Sequence, residues 1–307
     1  MSFVLGASAL AVVTAVACAL PGVFVVLRKN SMLVDAISHA VLPGIVVGYF
    51  ITRDLESPLL ILGAALAGLV VVLGSEWLTR TGLLTGDAQQ GLVFPALFSG
   101  GVILVSVNFA NVHLDTHAVL VGDLNLAAIG QLTVGGLAIG PPYLYVMATV
   151  LLVNIVAVTL LYPTLKVTTF DPRFAMALGI RTGAVNAAFM FLVSVTVTAA
   201  FHAAGAILVI ALMVAPPATA HLLTRRLAPM IVLTIALAAG GALAGFRIAY
   251  RFDAATSAGM AVFYGLLFAA VLCGTRIARR VRLRGPQAPD AARTSLPGAG
   301  AGVSPGA

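Results

Sequence analysis

Charge is what this sequence has least of. Only 9% of its 307 residues are Asp, Glu, Lys or Arg, against roughly 25% in a soluble globular domain. So thin a polar coat excludes a water-facing enzyme or a free nucleic-acid-binding domain. The two cysteines, Cys18 and Cys273, lie inside apolar runs near opposite ends of the chain, which excludes a disulfide framework. There is no G-x-x-x-x-G-K-[ST] loop, no nucleophile elbow and no H-E-x-x-H, so the chain has no such cradle for a nucleotide's phosphates and no such hydrolytic centre. It reads as no enzyme, and any ATPase that energises it is a separate chain. What fills the sequence instead is apolar: 61% hydrophobic residues and a mean hydropathy of +1.09.

A helix needs about 20 apolar residues to cross a hydrocarbon core. Runs near that length recur at 3–27, 33–50, 58–79, 88–107, 143–165, 184–201, 206–223, 228–246 and 257–275, so the expected fold is an all-α polytopic membrane protein with about nine transmembrane helices. Cytoplasmic loops collect Lys and Arg. With Arg28 and Lys29 placed inside, fourteen of the 17 basic residues fall on that side and only Arg53, Arg247 and Arg251 on the other. The C-terminus is then cytoplasmic and the N-terminus external. The net charge of +7 is concentrated after Thr275, beside a span, where it orients the chain and meets anionic lipid rather than nucleic acid. Residues 1–280 form the permease-like domain and 281–307, built largely of Pro, Gly, Ala and Ser, a disordered cytoplasmic tail.

Ionisable groups inside a bilayer are costly and mark functional candidates. Asp35 and His39 stand at i and i+4 on one face of the second span, with Pro43 and Gly44 placed to kink the helix just beyond. A carboxylate and an imidazole on one face suit a divalent cation such as zinc or manganese. The plainer alternative is that Asp35 sits at the interface near Arg28 while His39 bonds a neighbouring helix. A second cluster, His113, Asp115 and His117, with Asp123 further on, falls in the external connection 108–142, either as an outer entry site or as a solvated loop.

The longest cytoplasmic connection, 165–184, holds a short helix at about 170–181. Asp171 caps it, Pro172 takes its first position, Phe174, Ala175 and Leu178 form an apolar face, and Gly179 closes it. Together with Phe170 this is a docking surface for a protein, or else an interfacial helix lying on lipid.

These elements, "SMLVDAISHAVLPG", "GDAQQGLVFPALFSGG", "LVGDL", "FDPRFAMALGI" and "GAILVIALMVAPPATAHLL", resemble in order and spacing the ABC-3 type integral membrane permeases of importers for manganese, zinc and iron. The resemblance implies a type II ABC importer architecture in the bacterial plasma membrane and a homodimer enclosing one pathway. Its implied partners are an external metal-binding lipoprotein and a cytoplasmic ABC ATPase dimer that carries the ATP. No cofactor is bound permanently; the divalent ion is cargo. Asp35 and His39 would then belong to the ion pathway, and Asp171 to Ile180 to the ATPase contact; the pattern does not require His113, Asp115 and His117. Val121, Arg173 and His221 stand where the family pattern has Phe, Glu and Arg. Two other readings use some of the same features: a permease for siderophores, other metal chelates or cobalamin, and an ion-coupled secondary carrier with no ATPase.

Overall fold

The computed structural model describes residues 3–53, 58–83, 88–108, 124–130, 132–134 and 137–283. In hydrocarbon every backbone N–H and C=O must be satisfied within the chain, and helix is the outcome almost throughout. In chain order the elements are α1 (Phe3–Leu27), α2 (Ser31–Thr52), α3 (Pro58–Arg80), α4 (Ala88–Asn108), α5 (Leu124–Ile129), β1 (Leu132–Val134), β2 (Leu137–Gly140), α6 (Pro142–Phe170), α7 (Pro172–Ala177), α8 (Thr182–Leu223), α9 (Leu227–Arg251) and α10 (Thr256–Leu283). The β1–β2 antiparallel ribbon, inside the 108–142 connection, is the one departure from an all-helical chain among the described residues.

Eight of the described helices are long and apolar enough to cross a membrane, yet nine crossings result, because α8 is two helices. It runs for 42 residues and is broken at Gly205, which has φ 74° and ψ 164°, a conformation essentially confined to glycine. The partners of α8 show what the break does. Arg28 bonds Asn186, Phe24 packs on Phe189 with ring centroids 6.0 Å apart, and Asn154 touches both Ala17 and Thr196. The first half of α8 therefore climbs α1 in the antiparallel sense. Continued straight, it would carry Met213 past the first residue of α1, but the Met213 carbonyl instead lies against Gly22, near the opposite end of α1. The chain reverses at Gly205, and 182–204 and 206–223 are separate crossings.

α1 and α8 form the axis of the molecule: 72% of the apolar window of each is buried, against 11% for α4 and for α10. Two prolines shape that axis. Pro21 has no N–H to give to the Ala17 carbonyl four residues earlier; Asn154 of α6 gives its own, Nδ2 to Ala17 O at 2.9 Å, while also donating to Thr196 Oγ1 at 3.0 Å. Pro217 likewise releases the carbonyl of Met213, the one that lies against Gly22. α2 and α3 meet along small residues. A Cβ on Gly44 would come within 2.6 Å of the Gly63 carbonyl oxygen and one on Gly48 within 3.1 Å of the Leu60 Cα, so the two backbones touch where a side chain would hold them apart.

Candidate metal site

α2 carries the candidate pair near its first turns, and α4 supplies the wall against which it rests. His39 Nε2 lies 3.6 Å from Asp35 Oδ1, beyond hydrogen-bond range. The two side chains retain 38% and 39% exposure in the single chain, so the chain's own helices seal neither of them. The His39 ring stacks on Phe94, centroids 5.3 Å apart at 21°, and meets the edge of Phe98 at 6.4 Å. Phe94 and Phe98 are themselves i and i+4 on α4, so both rings meet the one imidazole from one face of that helix. The stack fixes the plane of the imidazole; Ser38, between the pair, donates instead to the Val34 carbonyl at 2.9 Å.

Pro43 lies within α2 and packs against Gly101 of α4, where a Cβ would approach Pro43 Cβ to 2.6 Å. It has no N–H for the His39 carbonyl, so one residue presents both an imidazole and a carbonyl oxygen without that helical donor. Gly44, on the other side, lets α3 close in. Among the described residues no three His, Cys, Asp or Glu side chains come together; at this place Asp35 and His39 are the two that meet. His113, Asp115, His117 and Asp123 lie outside the described residues.

α7 follows α6 directly. The Phe174 N–H donates to Asp171 Oδ1 at 2.9 Å, Pro172 opens the helix, and Gly179, at φ 78°, closes it with its N–H on the Met176 carbonyl at 2.9 Å. The apolar face differs from the sequence expectation in one member. Ala175 is fully buried, whereas Phe170, Phe174, Met176 and Leu178 are each more than half exposed; the short side chain seats the helix and the long ones project from it. Phe170 is the last residue of α6, which at 29 residues runs roughly 43 Å at 1.5 Å per residue, well beyond the hydrocarbon thickness of about 30 Å.

Arg28 was legible in the sequence only as part of the basic loop. Its side chain makes three hydrogen bonds to the segments that flank α7. Its Nε donates to Thr169 Oγ1 at 3.0 Å, its Nη2 to Thr168 Oγ1 at 2.9 Å and its Nη1 to Asn186 Oδ1 at 3.1 Å, with the guanidinium carbon 5.0 Å over the Phe189 ring. Burial lowers its pKa to about 10, which leaves it charged at neutral pH. A cavity of about 380 Å³ opens beside it, lined by Lys29, Asn30, Glu76, Pro172 and Thr182 among others. His202 is exposed, with its ring 5.0 Å from that of Tyr143.

Comparison with known proteins agrees with this arrangement. The signature of the ABC 3 transport family matches residues 1–274. The chain is 45% identical over 262 residues to the zinc transport system membrane protein TroD of Treponema pallidum (strain Nichols), covering 85% of this chain and 71% of that one. It is 39% identical over 269 residues to the manganese transport system membrane protein MntD of Bacillus subtilis (strain 168), covering 88% and 91%. Its fold superposes with a TM-score of 0.75 on PsaBC from Streptococcus pneumoniae in complex with Fab, at 24% identity over 93% of this chain and 96% of that one.

Proposed function

The chain belongs to the ABC 3 transport family, and from that premise we propose that it is the membrane-spanning permease subunit of an ATP-driven importer of divalent metal ions. Manganese, zinc and iron(II) are the cargo class. The observation that carries this reading is the Asp35–His39 pair, half exposed on α2 and braced by Phe94 and Phe98. Removing an ion from water into a low-dielectric interior costs tens of kcal/mol, so a pathway for a bare cation must offer replacement ligands. They must also be few enough to release it. Two ligands from one copy, doubled by a second copy about a shared axis, give two carboxylates and two imidazoles. The wide, uncovered flank of α4 supports the same pairing of copies.

In this reading an external metal-binding lipoprotein delivers the ion, and two cytoplasmic ATPases grip the projecting side chains of α7. Closure of the ATPases on ATP tilts the bundles and switches access to the pair. The chain itself hydrolyses nothing. It lies in a bacterial plasma membrane with its C-terminus inside, as the basic loops indicate. A permease for large chelates would leave the Asp35–His39 pair without a task.

The test is total cellular manganese, zinc and iron, by elemental mass spectrometry, in cells expressing the permease with its ATPase and binding protein. One metal is expected to rise with the wild type and to stay at background with His39→Ala at equal membrane levels. Uptake unchanged in that variant would remove the pair from the pathway. No metal accumulation by an assembled, ATP-hydrolysing complex would overturn the cation reading altogether.

A further inference from the structure

α1 and α2 are joined by only three residues, 28–30. The corner is tight: Lys29 adopts φ 59°, the Asn30 N–H returns to the Val25 carbonyl at 3.0 Å, and the Leu33 N–H reaches the Asn30 carbonyl at 3.1 Å. A force on this corner therefore reaches α2, whose Asp35 stands in the second turn, with little slack. Arg28 is the corner's first residue, and its guanidinium holds both flanks of α7. Thr168 and Thr169 lie in the last turn of α6, just before Asp171, and Asn186 lies at the start of α8, just after α7 is closed by Gly179.

The chemistry suits a stiff link. All three acceptors are neutral oxygens, so the part-buried charge is solvated on this side by these hydrogen bonds, and the planar fork fixes their relative positions. The Phe189 ring, packed on Phe24 of α1, closes the remaining face. The hydrogen bonds of the clamp run to α6 and α8, and the three-residue corner is its short covalent link to α2.

We infer that Arg28 is a positioning residue that ties displacement of α7 to α2, and so couples ATP hydrolysis to the state of the Asp35–His39 pair. The inference rests on the reading of α7 as the ATPase contact and of that pair as the ion site. It separates two quantities that a merely structural residue would move together, the rate of ATP hydrolysis and the number of ions delivered per ATP.

The measurement uses the full complex, permease with its ATPase and binding protein, in liposomes supplied in turn with manganese(II), zinc(II) and iron(II), reading hydrolysis and ion entry in the same vesicles. In Arg28→Met the assembled complex is expected to go on hydrolysing ATP while ions per ATP fall by about tenfold or more, within the usual range of coupling between two sites. Arg28→Lys keeps the charge without the fork and is expected to fall between. Thr168→Val and Asn186→Leu, each removing one acceptor, cover the case in which Arg28→Met does not assemble, and are expected to lower the same ratio. A wild-type ratio in Arg28→Met, or in both acceptor variants, overturns the inference and leaves the transport reading standing. A wild-type complex that hydrolyses ATP and admits none of the three ions overturns that reading, and this inference with it.

Discussion

At the scale of single residues, a proline accounts for a polar contact inside the axis of the molecule. Pro21 strips the Ala17 carbonyl of its helical donor, and Asn154, a fully buried amide 137 residues away, supplies one. Asn154→Leu should therefore cost about 1–3 kcal/mol, the penalty for an unsatisfied buried acceptor, seen as a lower melting temperature of the detergent-solubilised protein. The double variant Pro21→Ala/Asn154→Leu gives Ala17 a helical partner again and should recover most of the loss; a double variant no more stable than the single one would contradict the account. Asp35 and His39 were visible in the sequence because a carboxylate and an imidazole one turn apart stand out in an apolar chain. The role of Arg28 was not, since its acceptors are 140, 141 and 158 positions away and neither Thr nor Asn is rare enough to mark them.

At the scale of elements, caps and breaks behave as local chemistry demands. Asp171, Pro172 and Gly179 specify where α7 starts and stops, and the sequence carries all three signals. Asp171→Ala removes the acceptor for the Phe174 N–H and should destabilise this six-residue helix by about 1 kcal/mol. Co-purification of the ATPase should weaken, while permease expression holds; undiminished ATPase recovery would separate the cap from docking. The sequence did not show which side chains of α7 project, because burial of Ala175 depends on the helix packing around it. The aromatic wall behind His39 escaped notice for a related reason. When a helix is apolar on every side, as α4 is, periodicity marks no face, and Phe94 and Phe98 look like any other lipid-facing residues until their neighbour is known.

At the scale of the whole molecule, the pattern of apolar runs gives nine crossings, and the fold returns nine even though only eight of the described helices are long and apolar enough to span. The difference lies in Gly205, where helix-like composition runs unbroken through a reversal of direction. The arrangement predicts sidedness. In a background lacking Cys18 and Cys273, His202→Cys should react with an impermeant maleimide from outside the cell, and Thr224→Cys only after the membrane is permeabilised. Labelling of both from one side would refute the reversal, and exchange of the two sides would invert the orientation. What composition could not reveal is the order of layers. That α1 and α8 form the axis while α4 and α10 lie outside follows from glycine approaches such as Gly22 to Met213 and Gly101 to Pro43, which are contacts between distant stretches with no local signature.

The turn at Gly205 also bears on biosynthesis. Between the two crossings of α8 the chain offers no soluble loop, only "AAFHAAGA" from 199 to 206, with His202 as its one side chain that prefers water. A translocation channel has nothing there to pass across and then pause upon. The 42 residues must leave the channel sideways as a ready-made pair, each half shielding the other, and a nascent chain interrupted between them would strand a lone segment whose natural companion had not yet been made.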